Sequence, residues 1–124
     1  MNYERTSLVL KAMADPNRMK IIDLLSYGSL CGCDVLAHFH FTQPTLSHHM
    51  KALEKAGIIS VTKQSQWHYY TLREDFVRDF MSSMVQLLSK RVEEDAYQSH
   101  EGKNEIEKND KLQNHTLSKE IIIK

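Results

Sequence analysis

The sequence predicts a mainly α-helical α+β domain that carries one small β-hairpin, and three observations lead to this fold class. Apolar residues recur at helical spacing through much of residues 1–92. Two helix start signals, at Asp15-Pro16 and at Thr42-Gln43-Pro44, divide this region into helices. A single stretch after Gly57 is instead rich in β-branched and aromatic residues, as strands are.

The first part of the chain is predicted to form three helices. In Asp15-Pro16-Asn17-Arg18, aspartate is a good N-cap, and proline at the first helical position loses no needed hydrogen bond. This boundary closes a helix over about residues 5–14 and opens a second one that ends near Leu25, before the turn Tyr27-Gly28-Ser29. A third helix is predicted over about residues 32–39.

The next signals predict a fourth helix and a hairpin. The fourth helix begins at Thr42-Gln43-Pro44-Thr45 and ends at Ala56-Gly57, where glycine supplies a left-handed cap. Residues 58–62 and 67–72 have strand composition and are separated by the polar residues 63–66, which predicts one two-stranded hairpin.

A last amphipathic helix is predicted from Asp75 to about Val92, because apolar residues recur there at helical spacing. Residues 93–118 are polar and charged, which predicts a disordered or weakly helical tail over residues 93–124. The order of elements is that of a winged helix-turn-helix, with about five helices and a two-stranded wing in residues 1–92.

Length and charge favour a binding module over an enzyme. A chain of 124 residues has room for one compact domain but not for a large enclosed active site. Residues 1–91 carry 11 Lys/Arg against 8 Asp/Glu, and the excess concentrates between Phe41 and Arg73, which suits either a polyanion partner or an ordinary solvated face.

The sequence shows neither a membrane span nor a signal peptide, so a cytoplasmic protein without membrane contact is expected.

The fourth helix has the properties of a DNA recognition helix. On a helical wheel Leu46, Met50 and Leu53 share one face, which predicts anchorage to the core. Short hydrogen-bonding groups and cations share the other face, as expected for contacts to base edges and phosphates. The DNA-contacting residues predicted on this helix are Gln43, Thr45, Ser47, His48, Lys51 and Lys55. His49 lies nearer the apolar side and is expected to be half-buried.

The hairpin predicts a second DNA contact. Lys63, Gln64 and Gln66 at its tip are expected to lie along the backbone or the minor groove. The neighbouring aromatic residues Trp67, Tyr69 and Tyr70 are expected to cover the sheet and the core rather than to stack on bases.

Cys31 and Cys33, the two cysteines of the chain, lie together at the start of the third helix. With one residue between them an internal disulfide would be strained, so they are expected to be thiols available to a ligand, although two ligand-free core cysteines would give the same sequence. The helix N-terminus is expected to favour the thiolate. If both residues were helical, their side chains would point about 200° apart, and chelation of one ion would distort the first turn.

The donor set favours a thiol-seeking ion. Zinc prefers four ligands in a structural site, and this chain shows no obvious third and fourth partners. Trivalent arsenic or antimony is satisfied by two or three thiolates.

In combination, these motifs resemble the ArsR/SmtB family of bacterial winged-helix repressors, and its arsenic-responsive members in particular. The resemblance spans about residues 5–90 and rests on Asp15-Pro16-Asn17-Arg18, Leu30-Cys31-Gly32-Cys33-Asp34, Gln43-Pro44-Thr45-Leu46-Ser47-His48-His49-Met50-Lys51-Ala52-Leu53 and Ala56-Gly57-Ile58. It implies repression of an arsenical-resistance operon and release from double-stranded operator DNA when As(III) or Sb(III) binds Cys31 and Cys33. No cofactor is implied for DNA binding itself.

The resemblance also implies a homodimer joined through the first and last helices. The apolar residues expected at this interface are Leu8, Val77, Phe80, Met81, Met84 and Leu88. Some relatives have a third cysteine where this chain has Leu36, so a two-thiolate site, or one completed by an external ligand, is implied. The histidine pairs of zinc-sensing relatives are absent from residues 75–92.

Other functions remain open on the sequence. The same fold could serve a dithiol repressor that senses persulfide or oxidant, or another soft metal such as cadmium or zinc. A small thiol enzyme is a third possibility, but the cysteine pair has no recognisable base or redox scaffold.

Overall fold

The computed structural model describes residues 1–91 and contains five helices and three short strands in that range. In chain order they are α1 (Tyr3–Met13), α2 (Pro16–Leu25), β1 (Leu30–Cys31), α3 (Gly32–Leu36), α4 (Gln43–Lys55), β2 (Ile59–Gln64), β3 (Trp67–Leu72) and α5 (Glu74–Leu88). The predicted tail, residues 93–124, lies outside the described residues, as does the predicted domain boundary.

The helix starts follow from capping side chains. Asp15 caps α2, because its carboxylate accepts hydrogen bonds from the backbone N–H groups of Asn17 and Arg18 at 2.8 and 3.1 Å. These bonds hold the pKa of Asp15 below its usual value. Asn2 caps α1 in the same way, accepting from the N–H of Arg5 at 3.0 Å, so α1 begins two residues before the predicted start.

The region of the cysteines differs from the prediction. Leu30 and Cys31 form the strand β1, which pairs antiparallel with β3 in a three-stranded sheet of order β1-β3-β2. The predicted two-stranded hairpin is present as β2 and β3, whereas β1 was not predicted, because a strand of two residues is too short to show alternation in sequence. Helix α3 ends at Leu36, three residues before its predicted end.

The wing is a tight hairpin. Strands β2 and β3 pair from Ile59 opposite Leu72 to Gln64 opposite Trp67, which leaves Ser65 and Gln66 as a two-residue turn. Ser65 adopts a left-handed φ of 59°, as such turns require. The four-residue connection predicted from polar composition is thus two residues long, since Lys63 and Gln64 continue the strand.

Helix α4 ends with the predicted glycine cap. Gly57 has a φ of 79°, its N–H donates to the carbonyl of Glu54, and the N–H of Ile58 donates to the carbonyl of Leu53. These two bonds form the Schellman motif, which turns the chain from α4 into β2. The wing therefore leaves α4 at an angle that these two bonds fix.

The core lies between α2, α4 and the sheet. Its buried members come from every helix except α5 and from the chain around β2: Val9, Ile21, Leu25, Val35, Leu46, Met50, Leu53, Ile58 and Ile59. The α4 residues that the helical wheel placed on the apolar face are all at most 2% exposed. Burial of this stripe stabilises α4 and leaves its opposite face toward solvent.

Helix α5 is shorter than predicted. It begins at Glu74, beside a bidentate ion pair between Arg73 and Asp75, and ends at Leu88 instead of Val92. The pair lowers the pKa of Asp75 and raises that of Arg73.

Among residues 1–91, no helix combines the length and apolar character that crossing a bilayer would need.

Candidate functional site

The two thiols meet at the junction of β1 and α3. Their Sγ atoms are 2.7 Å apart, Cys31 is buried and Cys33 is exposed. The Cys31 sulfur also accepts a hydrogen bond from the backbone N–H of Cys33 at 3.4 Å, which makes Cys31 the N-cap of α3. One sulfur is thus fixed in the protein and the other is accessible from solvent.

The expected divergence of the two side chains was wrong. Cys31 has an extended backbone, with φ −64° and ψ 146°, because it belongs to β1 and precedes the helix. The angular step of about 100° per residue holds only where both residues are helical. The cysteine pair therefore needs no distortion of a helical turn to present two sulfurs to one ion.

The electrostatics at Cys33 also depart from the expectation. Its pKa is raised, first by the hydrogen bond with Cys31, then by desolvation, and then by the negative charges that Cys31 and Asp34 carry when ionised. The helix N-terminus was expected to favour the thiolate of Cys33, whereas the hydrogen bond with Cys31, desolvation and the neighbouring negative charges disfavour it.

Asp34 completes a group of three potential ligands. The sulfurs of Cys31 and Cys33 and a carboxylate oxygen of Asp34 all lie within 4.8 Å of one another. Asp34 was not predicted as a ligand, although its adjacency to Cys33 in the sequence was a usable signal. Leu36, at the position of the third cysteine of some relatives, packs against the core.

The recognition face of α4 has the exposure that DNA contact requires. Gln43, His48, Lys51 and Lys55 are exposed, and Thr45 and Ser47 are partly exposed. Pro44 lies in the first turn, where it interrupts no helical hydrogen bond. All six predicted residues of α4 are thus at least partly accessible to solvent.

His49 is buried, with 7% of its surface exposed, which confirms that it is not part of this face. Its Nδ1 accepts a hydrogen bond from the Nε–H of Arg18 at 3.0 Å. The sequence analysis did not identify this partner, because 31 residues separate the two in the chain.

The wing carries exposed polar groups and one unexpected aromatic residue. Lys63, Gln64 and Gln66 are exposed as predicted. Trp67 lies in the sheet on β3 as predicted, but it is 47% exposed and does not cover the core. Its position next to the turn places it beyond the core, whereas Tyr70, three residues along β3, packs against the core.

The residues predicted for a dimer interface are mostly accessible in the single chain. Leu8, Val77, Met81 and Leu88 are 63%, 38%, 38% and 76% exposed. Met84 is partly buried, and Phe80 packs partly against the core. An apolar face of α5 and an exposed leucine of α1 therefore remain without cover in the described residues.

Comparisons with known proteins agree with this architecture. Residues 15–61 match the family described as bacterial regulatory protein, arsR family. The chain is 43% identical over 89 residues to an arsenical resistance operon repressor of Staphylococcus xylosus, covering 72% of this chain and 85% of the relative. It is also 43% identical over 84 residues to a repressor of the same name from Staphylococcus aureus, covering 68% and 81%.

A solved structure extends the agreement to the fold. The homodimeric winged helix-turn-helix DNA-binding domain of a possible ArsR-family transcriptional regulator from Mycobacterium bovis superposes with a TM-score of 0.58 at 26% identity, over 68% of this chain and 79% of that one. The predicted winged-helix fold class is thereby confirmed. Since the first relative above is matched over 85% of its length at 43% identity, the chain belongs to the arsR family of bacterial regulatory proteins.

Proposed function

We propose that this protein is a transcriptional repressor that binds the operator of an arsenical-resistance operon and leaves it when As(III) or Sb(III) binds Cys31 and Cys33. The observation that carries the proposal is the pair of sulfurs 2.7 Å apart, one buried and one exposed, at the start of the helix that precedes the recognition helix. Two relatives at 43% identity named as arsenical resistance operon repressors support it. Its place of action is the cytoplasm, where the operator is.

The thiols have the chemistry that capture of arsenite requires. Each thiol sulfur forms a bond to arsenic as one As–OH bond breaks, and the thiol proton leaves with the hydroxide as water. Two thiols thus release two waters from As(OH)3, and arsenic stays trivalent with one hydroxide remaining. Because the protons are consumed in this exchange, the raised pKa of Cys33 is compatible with binding of the neutral acid.

DNA binding is assigned to α4 and the wing. The polar side chains in the N-terminal half of α4 suit base edges in a major groove, and Lys51 and Lys55 suit phosphates. Lys63, Gln64 and Gln66 at the exposed wing tip suit the adjacent backbone or minor groove.

A homodimer provides two such surfaces on one operator. Leu8 of α1 and Val77 and Met81 of α5 are exposed apolar residues that a second copy would cover. Arg5 of α1 and Phe76 and Phe80 of α5 line a groove between these two helices. The Mycobacterium bovis domain, a homodimer, supports this arrangement.

The first experiment is an operator mobility shift with and without arsenite. We expect the protein to retard the DNA upstream of its own operon, and arsenite to abolish the retarded band. Release by polysulfide in metal-free buffer together with indifference to arsenite would instead identify a persulfide or oxidant sensor. Turnover of a thiol substrate without any DNA binding would identify an enzyme.

Asp34 favours a second candidate inducer, a thiophilic divalent ion such as cadmium or zinc. Its carboxylate adds an oxygen donor near both sulfurs, and such ions accept mixed sulfur and oxygen ligands. Asp34→Asn separates the two candidates, because it removes a metal ligand while leaving both thiols. Weaker release by cadmium with unchanged release by arsenite is expected if arsenic uses the thiols alone.

The sheet offers a route from the thiols to the wing. Cys31 pairs with Tyr69 of β3, and Leu30 pairs with Tyr70. Gly32 lies so close to this strand that a Cβ built on it would be 3.2 Å from the ring of Tyr70. Cys31 belongs to β1 and Cys33 to α3, so an ion held by both thiols acts on both elements. We assign the resulting displacement to β1 as well as to α3, and hence to the wing.

Trp67, the sole tryptophan of the chain, allows a direct measurement of this coupling. It lies on β3 two residues before Tyr69 and is 47% exposed, so wing motion changes its surroundings. We expect arsenite to change the Trp67 emission of the DNA-free protein, and the Cys33→Ser variant to give no change. Unchanged emission while arsenite binds and releases DNA would contradict the wing route and leave the repressor function intact.

A further inference from the structure

Arg18 connects three helices through one side chain. Its Nε–H donates to Nδ1 of His49 on α4 at 3.0 Å, and its Nη1 donates to the carbonyl oxygen of Ala12 in α1 at 3.3 Å. Its own backbone N–H is held by Asp15, the cap of α2. The recognition helix is thus joined by hydrogen bonds to the two N-terminal helices at a single guanidinium.

This contact requires a neutral imidazole. A guanidinium stays protonated and has no acceptor, so Nδ1 of His49 must carry the lone pair and Nε2 the proton. Protonation of Nδ1 would direct a hydrogen at the donor of Arg18 and place two cations together. His49 is only 7% exposed and lies beside the ring of Phe41, at a centroid distance of 5.5 Å, so solvent would screen this repulsion poorly.

The surroundings of His49 favour the neutral form on balance. Desolvation is the largest effect and lowers the pKa of His49, Asp15 at the start of α2 raises it, and Arg18 of α2 and His48 of α4 lower it further. From α1 the guanidinium meets the uncharged carbonyl of Ala12. Near and below pH 6.5, His49 therefore binds more protons in the unfolded chain than in the folded one. As a result, the free energy of unfolding falls as the pH drops from there through the lower pKa that His49 has in the folded protein.

We propose that Arg18 is a positioning residue for operator binding: through neutral His49 it fixes the orientation of α4, and protonation of His49 in acid frees the helix. His49 follows Ser47 and His48 in α4, so the hydrogen bond from Arg18 holds the helix at the turn that carries the proposed base contacts. The proposal rests on the operator binding proposed above. It adds an acid-sensitive element that is independent of the thiols, since none of its groups belongs to the cysteine cluster.

The test compares the pH dependence of operator affinity in wild type and in His49→Asn. The asparagine Oδ1 occupies the place of Nδ1 and accepts from Arg18 without titrating. In this variant the contact with Arg18 persists in acid. In wild type between about pH 7.5 and 5 the Arg18 bond is lost, so the affinity of wild type relative to the variant should fall about tenfold.

Arg18→Lys provides a second variant in case His49→Asn folds poorly, which thermal unfolding will show. Lysine keeps the charge but lacks the fork that spans His49 and Ala12. We expect about tenfold weaker operator binding at neutral pH, with the acid-specific loss absent.

The outcomes separate this inference from the proposed function. Parallel pH profiles for wild type and His49→Asn would overturn the inference alone, whereas lack of operator binding by wild type at neutral pH would overturn the repressor function on which it rests. Nitrogen NMR of the DNA-free protein tests the contact directly. A proton on Nε2 and a pKa of His49 below that of a free imidazole are expected, and a protonated Nδ1 at neutral pH would refute the contact.

Discussion

Replacing either cysteine by serine is expected to give a repressor that binds its operator and ignores arsenite. Loss of a group that only supports a metal ligand lowers the affinity of a site for its metal by about 10- to 100-fold. Loss of one of two thiol ligands should therefore raise the arsenite concentration that releases half of the operator by at least about 100-fold. Operator affinity without arsenite should stay within about twofold, as for changes away from the contact surface. Fluorescence anisotropy of labelled operator measures both quantities.

The two variants test different aspects of the site. Serine at position 31 retains an oxygen that accepts from the N–H of residue 33 and is a good N-cap, so α3 should persist in Cys31→Ser. Cys33 is exposed, so Cys33→Ser should leave the fold unchanged. Ser29→Ala is the matched control, because it removes a hydroxyl near β1, bonded to Thr71, and leaves both thiols. Normal release from either cysteine variant would refute the assignment of that thiol.

The parts of the fold that local chemistry determines could be predicted from sequence. Asp15-Pro16 and Gly57 mark boundaries through bonds within a few residues, and the structure has these caps where the sequence indicated them. The strand β1 could not be predicted, because two residues show no periodicity and its pairing with β3 lies about 40 residues away in the chain.

The same distinction applies to the site. The cysteine pair follows from adjacency in the chain, and the exposed residues of α4 follow from spacing along one helix, so both could be identified. The convergence of the sulfurs depends on the extended backbone that the β1 pairing imposes on Cys31. The partner of His49 depends on how α2 packs beside α4. Both features depend on contacts between residues that are distant in the chain, and the residue types alone do not indicate such contacts.

Operator binding by this protein is expected to depend steeply on salt. A dimer that places Lys51, Lys55 and Lys63 of each protomer on phosphates neutralises six of them, which predicts a slope of about −5.4 in log affinity against log salt. Between about 50 and 200 mM salt the affinity should therefore fall about 1,800-fold. All three lysines are exposed, and none of them forms an ion pair in residues 1–91 that would compete with this role.

A single substitution makes this prediction specific. Lys51→Gln removes two phosphate contacts from the dimer, so the slope should become about −3.6 and the loss over the same range about 150-fold. The change should weaken binding to operator and to unrelated DNA alike, because phosphate contacts carry no base information. Lys11→Gln, on α1 away from the proposed DNA surface, is the charge-matched control and should keep the full slope. Equal slopes for Lys51→Gln and wild type would exclude Lys51 from the phosphate contacts, and a slope near zero in wild type would contradict the proposed DNA surface as a whole.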